Sequence, residues 1–134
     1  MNKTASKSAL FGIMLLAAAL LMAASCSRNI SKRAINPPGS VEGLPFSNGI
    51  LVGRTLYVAG QEGLDNGKLR AGGIGPETQA ALENIKKIVE AAGLQMSDVA
   101  SVTVYMADLH EFGDMNKVYK TFFPEPRPAR ATRP

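Results

Sequence analysis

The sequence predicts a small α+β sandwich with helices packed on one face of a sheet. Three observations carry that expectation. Short runs rich in branched and aromatic residues, bounded by glycines, read as strands. Two longer stretches set apolar residues at helical spacing along one side. The two kinds of segment follow the order β-β-α-β-α, and the start of a further strand closes the chain.

The first elements form a hairpin. In "NGILVGRTLYVAG", Ile50 to Val52 and Thr55 to Ala59 are the two arms, and Gly53-Arg54 is a two-residue connection. Glycine at the first turn position suits the positive φ of a type II′ turn. "QEGLDNGKLRAGGIG" then reads as a loop with a tight turn at Asn66-Gly67.

A helix follows. Gly75 is the expected cap, Pro76 the first helical residue and Gly93 the stop. Leu82, Ile85, Ile88, Val89 and Ala92 fall on one face, while Glu83, Lys86, Lys87 and Glu90 lie away from it. Burying the four larger apolar side chains contributes on the order of 6 to 10 kcal/mol before chain entropy is charged. That face needs a sheet beneath it.

"VASVTVYMAD" supplies the next strand, with Val102, Val104 and Met106 on one side and Thr103 and Tyr105 on the other. Asp108 and Glu111 suggest a capping box for a second helix, whose apolar face is Phe112, Met115, Tyr119 and Phe122. The prolines of "PEPRP" stop it.

The N-terminal region reads differently. "MNKTASKSAL" is basic without an acid, and an uncharged apolar run from Ala9 to Ala24 is shorter than the roughly 20 residues a spanning helix needs. It has the form of an export signal. "LMAASC" resembles a bacterial lipobox, so residues 1–25 are expected to be a lipoprotein signal peptide and Cys26 the lipidated residue. Residues 26–40, polar and basic with Pro37-Pro38-Gly39, read as a flexible tether, and 41–134 as the folded domain. The expected location is outside the cytoplasm, anchored by lipid to a bacterial membrane and facing the periplasm from the outer membrane.

Charge excludes little but directs attention. The 134 residues hold 15 basic and 11 acidic side chains, a net charge of +4. Lys3 and Lys7 belong to the leader; without them 13 basic residues face 11 acidic ones, a net of +2. Arg127, Arg130 and Arg133 form the remaining cluster, too small to imply nucleic acid binding.

Several chemistries lack their residues. His110 is the lone histidine and is expected at the surface; Cys26 is the lone cysteine. No metal-ligand spacing and no catalytic triad follow from that set. "AGGIGPE" precedes a helix but lacks the Lys-Ser/Thr ending of a phosphate loop. Gln61 reads equally as a loop-fixing hydrogen bond or a ligand contact. Asn84 and Asn116 are expected to satisfy backbone groups of neighbouring elements. Arg130 stands out, because a guanidinium held by the rigid Pro128-Ala129 segment suits a planar carboxylate; a surface ion pair is its alternative role.

From about Gly43 onward, "PFSNGILVGRTLYVAGQ", "ETQAALENIKKIVEAAGLQMSDV", "TVYMADLHEFGDMNKVYKTFF" and "RPARATRP" occur in the order of the RidA/YjgF family, which the chain resembles. The resemblance implies a chorismate-mutase-like sandwich, a homotrimer with ligand clefts between subunits, and no metal or organic cofactor. It implies hydrolysis of reactive 2-imino and enamine acids to 2-keto acids and ammonia. A non-catalytic trimer that binds a small carboxylate is the alternative, and an endoribonuclease-type activity a weaker one.

Carried over by position, Arg130 matches the carboxylate clamp and Thr132 a catalytic-cleft position. Asn116 matches the asparagine of the second helix. Phe46 stands where the deaminases commonly have tyrosine, and Ala59, before the retained Gly60, where many have serine. The family's water-positioning glutamate belongs to a last strand beyond "PARATRP", so the domain is expected to be C-terminally incomplete.

Overall fold

The computed structural model describes residues 31–134, which gather from Lys32 to Pro134 into one compact unit. The expected signal peptide, Cys26 and the first residues of the expected tether lie outside the described residues. Among the described residues, no helix is long and apolar enough to cross a membrane.

The rest of the expected tether is not a tether. Lys32–Ile35 form strand β1, paired antiparallel with β2 (Gly49–Val52) from Lys32↔Val52 to Ile35↔Gly49. Ile35 is buried at 2% exposure, so the domain begins near Lys32 rather than Val41. The physical reason is that an edge strand is held by backbone hydrogen bonds, which a polar, basic composition does not forbid.

β2 continues into β3 (Thr55–Val58) through the expected two-residue turn, with Val52 opposite Thr55 and Gly53 at φ +59°. The order in this sheet is β1-β2-β3. Gly49 is required by packing: a Cβ there would sit 2.9 Å from the Ile88 side chain. The loop after β3 carries a small hairpin, β4 (Leu64–Asp65) and β5 (Lys68–Leu69). Its turn residues Asn66 and Gly67 both have positive φ, the signature of a type I′ turn.

Helix α1 (Ile74–Ala91) starts two residues earlier than Gly75 and Pro76 suggest, with Gly73 as N-cap at φ +84°. Pro76 is tolerated there because a first-turn N–H has no helical partner to lose. At the other end Gly93, φ +81°, closes the helix as expected. Its N–H donates to Glu90 O at 2.9 Å, and the Leu94 N–H to Val89 O at 3.1 Å. That pair of bonds is a Schellman motif. The buried face comprises Ala80, Leu82, Ile88 and Val89.

A short 3-10 turn (Met96–Asp98) leads to β6 (Ser101–Tyr105). Val102 and Val104 face the core, whereas Thr103 and Tyr105 are exposed. Asp108 then caps a second 3-10 turn through the His110 N–H, at 2.8 Å, and helix α2 (Phe112–Phe122) follows. The last strand, β7 (Ala129–Arg133), pairs parallel with β6 from Ser101↔Ala129 to Tyr105↔Arg133. β6, α2 and β7 thus make a β-α-β unit. Leu82, Met106, Met115, Tyr119 and Phe123 form the core beneath it. Phe123, just past the helix, takes the deepest aromatic position, and Phe122 is only partly buried.

Candidate functional site

Residues two apart on a strand point to the same side. Arg130 and Thr132 are both half-buried and alternate with exposed Ala129, Ala131 and Arg133. Their partners across the ladder, Val102 and Val104, pack against the core. The β7 register therefore turns Arg130 toward the side occupied by α2.

Helix α2 meets it with three residues at positions 112, 116 and 119, a spacing that makes one stripe on a helix. Arg130 Nη1 donates to Asn116 Oδ1 at 2.6 Å. The guanidinium carbon lies 4.6 Å from the centre of the Tyr119 ring and 5.3 Å from that of Phe112. Cation–π contacts of this kind are worth about 0.5–1 kcal/mol when exposed and about 2 when desolvated. Among the described residues, no Asp or Glu pairs with Arg130; the ion pairs all lie elsewhere. A half-buried cation is thus fixed in place, and four of its five N–H donors are left for other partners.

Tyr119 is 5% exposed, and its hydroxyl has no hydrogen-bond partner. An orphaned buried polar group costs about 1–3 kcal/mol. Burial pushes the phenol above its ordinary pKa, while the Arg130 cation pulls it down by less. The Tyr119 ring also packs on Phe123, centres 4.6 Å apart and planes at 39°.

The other expected site residues have partners of their own. Phe46 is 56% exposed and lines a depression of about 450 Å³ with Asn36, Ser40 and Asn48, to which Arg130 does not contribute. That loop is fixed by Asn48, whose Nδ2 donates to Ser40 Oγ at 3.0 Å and whose backbone N–H donates to Asn36 Oδ1 at 3.0 Å. Ala59 extends the hairpin ladder through its N–H to Asn48 O, 2.8 Å, and Gly60 stands in open space. Gln61 folds back on its own loop, donating to the carbonyls of Ala59 and Gly60. Asn84 holds a backbone group as expected, the Leu64 carbonyl at 3.1 Å. Asn116 does not: its oxygen serves Arg130. His110 is exposed. Among the described residues, no cluster of His, Cys, Asp or Glu is arranged to hold a metal ion.

Tyr119 and Phe112 were legible only as core. Their spacing with Asn116 is the signal that marks them, once the strand carrying Arg130 is known to return alongside the same helix. A depression of about 840 Å³ runs between α1 and α2 over Met96, Val118 and Phe122. It holds none of the expected site residues.

Strands in three separate sheets and two helices, with Arg130 of the last strand seated against the second helix, make an α+β domain of the chorismate-mutase-like kind. The family model described as Endoribonuclease L-PSP matches residues 40–133. The chain is 44% identical over 89 residues to the 2-iminobutanoate/2-iminopropanoate deaminase of Mus musculus, covering 65% of this chain and 66% of that one. It is 41% identical over 96 residues to the Homo sapiens protein of the same name, covering 70% and 69%. The solved structure of RidA from the Antarctic bacterium Psychrobacter sp. PAMC 21119 superposes with a TM-score of 0.64 at 34% identity, over 78% of this chain and 83% of that one. The chain belongs to the RidA/YjgF family. It spans about two thirds of the length of the curated relatives it matches.

Proposed function

We propose that the protein is a RidA-like hydrolase that converts reactive 2-imino and enamine acids to 2-keto acids and ammonia. One observation carries this reading: Arg130 is half-buried, held by Asn116, and has no carboxylate paired with it among the described residues. A substrate carboxylate supplies the missing charge, gripped by two parallel N–H···O bonds from the free part of the fork. The C=N carbon, next to that carboxylate, is then fixed in place. Addition of one water and loss of ammonia turns C=N into C=O. The curated relatives named as 2-iminobutanoate/2-iminopropanoate deaminases support the same reaction class.

The residues gathered around Arg130 capture substrate and include no general base. A non-catalytic carboxylate-binding module is therefore the second reading. It draws support from Phe46 and Ala59, which bring no hydroxyl to positions where the deaminases commonly have one. The assay that separates them couples a pyridoxal-phosphate dehydratase to the protein and times keto-acid release. Acceleration above the dehydratase alone is expected. Binding of 2-oxobutanoate with an unchanged release rate leaves only the binding module. The endoribonuclease reading gains no support at the site, since the single histidine is exposed and remote in role from Arg130.

Two further parts belong to the proposal. A homotrimer would cover the outward strand faces, where Tyr57 and Tyr105 are 63% and 74% exposed. Export and lipid anchoring at Cys26 rest on "LMAASC". Radiolabelled palmitate is expected in the wild type and absent from Cys26→Ser; equal labelling of the two would rule the anchor out.

A further inference from the structure

We infer that Tyr119 is a positioning residue, whose ring face sets the plane of the Arg130 guanidinium before any ligand arrives. The consequence for ligand affinity rests on the carboxylate reading above. The orientation itself is a property of the free protein.

The Asn116 bond alone leaves the guanidinium underdetermined. A single hydrogen bond at Nη1, 2.6 Å, fixes one point of the planar group and lets the rest swing about it. An aromatic face supplies the second restraint, because a cation is attracted to the negative face of the ring and not to its positive edge. The Tyr119 centre, at 4.6 Å from the guanidinium carbon, is nearer than that of Phe112 at 5.3 Å. The Tyr119 ring is also the more rigid of the two. It is 5% exposed and backed by Phe123, whereas Phe112 is 39% exposed. One hydrogen bond and one ring face together fix both position and plane. A fork whose plane is preset loses less freedom on gripping a carboxylate, which is how preorganisation raises affinity.

Core packing does not account for this residue by itself. Phenylalanine would fill the same space without burying a hydroxyl that has no partner. The hydroxyl is not what positions the arginine either, since no hydrogen bond joins them. The face is the active part, which makes the electron density of the ring the quantity to vary.

The experiment compares Tyr119→Phe with full-length protein carrying 4-fluoro-, 3,5-difluoro- and 3,4,5-trifluorophenylalanine at position 119. These rings keep nearly the same volume while the face loses negative charge. Two readouts are taken: the NMR order parameter of the Arg130 Nε–H in ligand-free protein, and the Kd for 2-oxobutanoate. Tyr119→Phe is expected to match the wild type within about twofold in Kd. Successive fluorines should lower the Arg130 order parameter stepwise and weaken binding by about threefold to thirtyfold overall, the span of a cation–π contact. Thermal midpoints should fall by a few degrees at most across the series, the loss of one cation–π contact, whereas a packing role alone would leave both the midpoint and Arg130 unchanged. Equal Arg130 order in all four rings overturns the inference. Failure of wild type to bind 2-oxobutanoate overturns the carboxylate reading instead, and the order parameters still decide the role of Tyr119.

Discussion

Arg130→Ala is expected to remove measurable binding of 2-oxobutanoate. Truncating one member of a hydrogen-bonded charge pair costs about 2–5 kcal/mol, which weakens Kd about thirtyfold or more. The loss falls on dissociation, because the surviving carboxylate would sit against Asn116 and two aromatic rings without a cation. Arg130→Lys should restore only part of it: an ammonium brings one charge but no planar fork and stacks less well on Tyr119. Calorimetric titration of the three proteins checks this. Equal affinity in wild type and Arg130→Ala would move the carboxylate site elsewhere and end both the hydrolase and the binding-module readings of this arginine.

Phe123→Ala is expected to lower the unfolding free energy by about 3–5 kcal/mol, the cost of emptying a buried aromatic site that cannot fully collapse. Phe123 is 2% exposed and packs with Met115, Leu82 and Tyr119. Urea denaturation should show a lower midpoint with an unchanged slope. A loss under about 1 kcal/mol would mean that this residue is not the floor of the core. Phe123 also backs the ring that holds Arg130, so the same substitution should weaken keto-acid binding in the molecules that remain folded.

Much of this arrangement was written in the sequence at short range. The apolar stripe of α1, the Gly53 turn, the Asn66-Gly67 turn and the alternation of β6 are local patterns, and the structure follows each of them. β1 was not legible because Lys32 and Arg33 look like tether; its strand state is imposed by β2, a long-range partner. The helix start was misplaced because Gly73 and Gly75 both suit a cap, and only backbone geometry selects Gly73. At the site, Arg130 was visible from its proline-rich approach. The destination of Asn116 was not, since its local sequence says nothing about which strand returns beside it. Phe46 and Ala59 were placed with Arg130 by family resemblance alone, and within one chain Phe46 lines a separate depression.

The parallel pairing of β6 and β7 has a consequence for how this site is encoded. Strand side chains alternate with a period of two, so the side on which Arg130 emerges depends on an even or odd count of residues along β7. That count is set by the turn from Phe123 to Pro128, which joins α2 to the strand. Every residue of that turn except Phe123 is at least partly exposed and free of core duties. Its composition is therefore loosely constrained, yet its length is not. One residue more or less, with the ladder kept, would present an alanine to Asn116 and Tyr119 and turn the arginine to the opposite side of the sheet. The chemistry of the site is thus stored partly as arithmetic, in the parity of a surface turn.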